Sequence, residues 1–255
     1  MSSGSVRLED NSRRGARAMF FLKFWYIISI VALVLCNVGI EITHQFPPAA
    51  FEGMDKAAVM QFYHAVQRLY RLFMADMTVM LGALVVSALM GVLFSVYWIL
   101  WLYRAVKNLR CLTKTFFSPA AALVCTILPD IGYFIGIFIL WDIARRQQKL
   151  LDGRGIQYTP VTRRAVAIFI VFMLLGNIVV YEEVGATWPG CFAACASLIG
   201  IMVSWLRVLR PCVEQGNMLY KLHEEDVLRA KVDEVLRERE IEKAAREIQE
   251  AKFDE

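Results

Sequence analysis

The sequence predicts an all-α membrane protein, and three observations predict it. Of 255 residues, 58% are hydrophobic and only 20% are charged, which is too apolar for an ordinary soluble domain. The apolar residues gather in runs of about 20, enough at ~1.5 Å per residue to cross a hydrocarbon core of ~30 Å. Lysine and arginine collect at the ends of those runs, where they report topology before anything else. The expected architecture is four transmembrane helices plus a proline-broken re-entrant hairpin. Both termini are expected in the cytoplasm, with a charged C-terminal helix. Residues 1–19 form a cytoplasmic N-terminal segment, 20–210 the membrane helical domain and 211–255 a cytosolic charged helix.

The first run extends from Phe20 to about Ile42 behind Arg13, Arg14 and Arg17. It exceeds the roughly 7–15 residues of a signal-peptide core, so a retained signal-anchor span over about 20–42 is expected. An outer loop, Thr43–Asp76, with Pro47 and Pro48 follows. Within it Val59, Phe62, Tyr63, Val66, Leu69, Tyr70 and Phe73 recur at helical spacing. That pattern predicts an amphipathic helix over about 55–73 lying on the outer surface, because Arg68 and Arg71 oppose a crossing.

The second span covers about 77–102, the third 165–183 and the fourth 190–209. Trp25, Tyr26, Trp98, Trp101, Tyr103, Trp188 and Trp205 sit near their ends, as an aromatic belt at headgroup depth would. Gly82, Ala83, Ser87 and Gly91, and Ala193, Ala194, Ser197 and Gly200, offer close helix packing.

Between the second and third spans, the apolar stretch over about 116–143 is broken by Pro129 and Asp130. Proline removes a backbone hydrogen bond and Asp suits the start of a new helix. Arg104, Lys107, Arg110 and Lys114 precede the stretch; Arg145, Arg146, Lys149, Arg154, Arg163 and Arg164 follow it. Both flanks therefore belong in the cytoplasm, and the stretch is expected to enter and return.

After Arg210 and Pro211 the chain turns rich in Glu, Lys, Arg and Ala. Leu228, Val232, Val235, Ile241, Ala245 and Ile248 form a thin stripe whose spacing slips once. It predicts a helix with a weak coiled-coil seam, supported by i,i+4 pairs such as Glu225–Arg229.

The run Trp101–Gln147 resembles a bacterial multi-pass inner-membrane family catalogued as a domain of unknown function. The resemblance rests on Trp101, Tyr103, Arg104, Ala105, Asn108, Leu109 and Arg110, then Phe117, Ser118, Pro119, then Pro129. It covers about 75–210. The chain departs from the pattern where "DIGYFIGIFILWD" replaces a second proline. The resemblance implies a cell inner (plasma) membrane and a similar fold, and no reaction.

Asp130 is a candidate ion- or proton-handling carboxylate; its plainer role is a helix cap. Arg104, Asn108 and Arg110 are candidate contacts for an anionic lipid or ligand, against the plainer role of basic residues at a cytoplasmic helix end. Glu41, His44, Glu52, Asp55, His64, Glu182 and Glu183 fit no ligand spacing, so no metal is expected. The six cysteines include no CxxC, and Cys191 and Cys195 read as packing residues. No nucleotide loop, HExxH or nucleophile elbow occurs, and no catalytic residue or cofactor is assigned. The expectation is a non-enzymatic membrane scaffold. Its partners are the lipid bilayer and, through 213–255, a cytosolic protein or a second copy; nucleic acid is not among them. The alternative is a small solute or ion permease using the broken hairpin around Asp130.

Overall fold

The computed structural model describes residues 8–44, 56–127, 131–181 and 187–253, and these are helical throughout their regular parts. The helices are α1 (Ser12–His44), α2 (Lys56–Leu112), α3 (Pro119–Ile127), α4 (Ile131–Asp152), α5 (Arg163–Tyr181) and α6 (Trp188–Phe253). Three segments are long and apolar enough to cross a membrane: Ser12–Glu41, Tyr70–Leu112 and Trp188–Ala244. The third expected span, about 165–183, covers nearly all of α5, and its last two residues lie outside the described ones.

Caps explain several helix starts. The Asp10 carboxylate accepts the Ser12 N–H at 2.9 Å, ahead of α1. Ser118 accepts the Ala121 N–H at 3.1 Å and Pro119 occupies the first turn of α3. Thr162 caps α5 through the Ala165 N–H, and Thr187 caps α6 through the Gly190 N–H. Behind α4, Gly155 takes a left-handed φ of 68° while the Ile156 N–H reaches back to the Leu151 carbonyl.

α1 and α2 form an antiparallel pair. Asn11 lies beside Trp101, Ser29 hydrogen-bonds Ser87 at 2.8 Å, and Gly39 leaves room for Asp76. Roughly four turns at the start of α2 therefore continue beyond the end of α1. The segment over 55–73 does not form a separate helix. It is the first part of a 57-residue α2 that enters the span without a break. No proline or glycine interrupts residues 56–81, so nothing forces a corner there.

The 116–143 stretch doubles back. Asp142, in α4, accepts the Phe116 N–H at 3.4 Å, and Arg146 binds Asp142 at 2.8 Å while donating to the Lys114 carbonyl. The two basic flanks of the stretch consequently lie side by side at one end of the bundle. The N-terminal segment and the middle of α6 meet at that same end, where Gln215 donates to the Thr159 carbonyl at 2.7 Å.

The core sits towards this basic end and is aromatic. Trp98, Trp101 and Trp205 are 5%, 2% and 3% exposed, so they are core residues and not part of a headgroup belt. The Trp205 ring stands edge-on to Trp98 at 5.1 Å and to Phe169 at 5.0 Å, a favourable arrangement of ring quadrupoles. Only Trp188 and Tyr103 keep the exposure a belt requires.

The small residues also divide. Gly91 faces the Trp25 indole and a Cβ on Gly200 would overlap the Phe172 ring, whereas a Cβ on Gly82 would meet nothing.

No break marks residue 211. α6 passes through Pro211, and Cys212, Val213, Gln215 and Leu219 beyond it are buried. The border expected between membrane domain and tail is thus not a structural one.

Large apolar side chains cover the outside of the opposite half. Phe20, Phe24, Ile27, Val31 and Val34 face outward on α1, and Val79, Leu81, Val85, Leu89 and Val92 on α2. Only 11% of the most apolar window of α2 is buried. A continuous apolar exterior of this extent is what a hydrocarbon solvent demands and water penalises.

Candidate functional site

The basic end of the bundle is where the chain's polar groups converge. Residues 8–11 cross the end of α2 and are held there by successive contacts. Asn108 receives the Glu9 N–H on its Oδ1 at 3.1 Å and donates from Nδ2 to the Glu9 carbonyl at 2.7 Å. One side chain thereby satisfies both backbone groups of one residue, as a neighbouring strand would. The Glu9 carboxylate meets Arg104 at 2.8 Å and Lys107 at 2.6 Å, and Arg104 also donates to the Asp10 carbonyl. Asn11 donates to the Trp101 carbonyl at 2.8 Å. Leu8 is buried as the apolar anchor of the segment.

These charges set the local electrostatics. The hydrogen bond from Lys107, with Arg104 close by, holds the Glu9 carboxyl below its usual 4.5. Backbone and side-chain hydrogen bonds from Ser12 hold Asp10 below its usual 3.8. At the α4–α5 loop the Tyr158 hydroxyl donates to Asp152 at 2.7 Å, which raises its pKa.

Beneath the segment lies a cavity of about 30 Å³ lined by Asn11, Trp101, Gln147, Cys212, Gly216 and Tyr220, among others. Asn11 and Gln147 are 9% and 3% exposed, and their amide oxygens have no hydrogen-bond partner in the protein. The space is large enough for water, the smallest donor able to satisfy such oxygens. Gly216 makes this packing close: a Cβ there would come within 3.1 Å of the Gln147 amide nitrogen, which would have to give by a few tenths of an ångström.

Two of the three candidate anion-contact residues are thus engaged by the chain itself. Arg104 and Asn108 share one face of α2 and hold Glu9; Arg110 is exposed on a different face. Asp130 lies outside the described residues, as do Glu52, Asp55, Glu182, Glu183 and the His44 side chain. Among the described residues no three or more His, Cys, Asp or Glu side chains come together as a metal site. All six cysteines are free thiols; Cys191 is buried with its sulfur 4.0 Å from the Leu33 carbonyl.

Sequence reasoning missed Glu9, Asn11, Gln147 and Gln215, because nothing in their local pattern separates them from solvated polar residues. It also placed Asp76 at the end of a loop. Asp76 instead lies within α2 against Gly39, and its Oδ2 is buried without a partner. A lone acid inside an apolar face was the available signal.

Beyond Asp226, which pairs with Arg154 at 2.8 Å, α6 leaves the bundle. Leu228, Val232, Val235, Leu236 and Ile241 are all exposed on it, Leu228 at 62% and Ile241 at 69%. Compared with protein-family models, with curated proteins and with solved structures, the chain matches none.

Proposed function

We propose that the protein is a non-enzymatic, multi-pass membrane scaffold that docks a cytosolic partner through the distal part of α6. The observation that carries this reading is the row of exposed apolar side chains from Leu228 to Ile241 on a helix already clear of the bundle. At 1.5 Å per residue, the helix from Asp226 to Phe253 reaches about 40 Å from its last bundle contact. A rigid rod of that length presents an apolar seam at a fixed distance from the membrane, a geometry suited to a partner helix.

The accompanying topology has four spans, α1, α2, α5 and α6, with α3 and α4 as a re-entrant hairpin. Support comes from the apolar exterior, the doubled-back hairpin and the clustering of basic residues at one end. That end is the cytoplasmic one in this reading, and the membrane is a bacterial inner membrane on the strength of the Trp101–Gln147 pattern.

The test compares the full chain with a chain ending after Asp226, both purified in detergent. Partner capture and self-association are measured by affinity isolation and by mass in solution. The proposal expects a defined partner or a dimer that disappears with residues 227–255. Equal behaviour of the two chains counts against it.

A further inference from the structure

We propose that Arg13, Arg14 and Arg17 form a binding site for the phosphate of an anionic phospholipid headgroup at the basic rim of the apolar exterior. The inference rests on the membrane reading above and is independent of the docking role of α6.

The first observation is a single outward stripe on α1. Arg13, Arg17, Phe20, Phe24, Ile27, Val31 and Val34 follow one another at spacings of 4, 3, 4, 3, 4 and 3, and all seven are exposed. Residues so spaced share one face of a helix. The stripe changes from cationic to apolar between Arg17 and Phe20, less than one turn, or about 4.5 Å along the axis. That switch marks where headgroups give way to acyl chains.

The second observation is that two of the three guanidinium groups, those of Arg14 and Arg17, are positioned. Arg17 donates to the Tyr97 hydroxyl at 3.2 Å, with its guanidinium carbon 5.5 Å from the ring centre. Arg14 donates to the Leu100 carbonyl at 3.4 Å. Both side chains are thus held against the surface of α2 at the end of the apolar exterior.

The third is charge balance. Glu9 is committed to Arg104 and Lys107, and Asp10 receives the Ser12 N–H. Among the described residues no salt bridge reaches Arg13, Arg14 or Arg17. Asp10 acts on Arg13 and Glu9 on Arg14 only through space, so three arginines without a carboxylate in contact leave room for an anion from outside the protein. A phosphodiester suits the planar guanidinium fork, and anionic lipid supplies it at the cytoplasmic surface.

The test uses the full chain reconstituted in vesicles of phosphatidylcholine containing either brominated phosphatidylglycerol or brominated phosphatidylcholine. Quenching of tryptophan fluorescence reports the relative affinity for each lipid. Incorporation into plain phosphatidylcholine vesicles comes first; its failure would remove the membrane reading itself. The expected result is a preference for phosphatidylglycerol of at least about fivefold, the attraction of one arginine to an anionic surface. The preference collapses in 1 M NaCl, where the screening length falls to about 3 Å. It also falls towards one in the exposed pair R13Q/R17Q and weakens in Y97F, which removes the hydroxyl that accepts from Arg17 and leaves the ring. Equal quenching by the two lipids in the wild type overturns the proposal. So does a preference that survives salt or the R13Q/R17Q change. Should millimolar inorganic phosphate abolish the preference more than chloride of equal ionic strength, the site takes free phosphate and the lipid assignment falls.

Discussion

The two parts of α6 share one continuous helix and almost nothing else. From Trp188 to Asp226 the helix supplies Trp205, Leu209, Cys212, Val213 and Leu219 to the core. From Val227 onward, described side chains up to Ala244 are exposed apart from a half-buried Val227. The change of role falls about fifteen residues after Pro211, where composition changes. Helix continuity therefore says nothing about burial, and a proline does not end a helix whose neighbours hold both sides. What divides the helix is the reach of α4 and the α4–α5 loop, whose last grip is the Arg154–Asp226 pair.

The sharpest way to break this comparison is to cut the helix at two places. A chain ending after Gly216 loses Leu219 and the Arg154–Asp226 pair and is expected to lose folded protein, seen as loss of a single peak in detergent size exclusion. A chain ending after Asp226 is expected to keep the wild-type peak and melting temperature. If both cuts are tolerated, the proximal part is no more structural than the distal one.

Trp205→Ala removes the ring around which Phe94, Trp98 and Phe169 are arranged. A cost of about 3–5 kcal/mol is expected in thermal or denaturant unfolding. Gly200→Ala places a methyl group in the Phe172 ring, and a cost of about 1–3 kcal/mol is expected in the same measurement.

Glu9→Gln loosens the N-terminal segment through a half-exposed pair of bridges, so about 0.2–1 kcal/mol is expected. Because the folded Glu9 pKa is lowered, its contribution is complete above the ordinary 4.5 and is lost as pH falls through the lower folded value. Limited proteolysis near residue 8 should accelerate in the wild type as pH falls below the ordinary 4.5, and the Glu9→Gln change should remove that pH-dependent component. At the small end of the series, Leu228→Ser with Val235→Ser should leave unfolding within about 0.5 kcal/mol. The same pair should abolish partner capture; retention of capture would move docking elsewhere on the chain.

Local chemistry alone determined much of this protein. Runs of apolar residues gave helices, because a lipid-facing backbone must satisfy its own hydrogen bonds. Ser118, Thr162 and Thr187 cap the starts of α3, α5 and α6 within a single turn, a local device that the reading of apolar runs did not use. The doubling back of 116–143 was legible in the basic residues on both flanks. Other features required the packed molecule. Trp98 and Trp205 have the same composition context as belt tryptophans, and only the approach of α5 and α6 buries them. Gly82 and Gly200 are alike in sequence, yet one faces outward and the other admits Phe172. Arg104 and Asn108 stood out only as candidate anion contacts at a basic helix end; that they hold Glu9, about a hundred positions away along the chain, was not legible. Composition and period report what one element requires of its surroundings; which surroundings arrive is decided by contacts between distant segments, and those appear only when the helices pack.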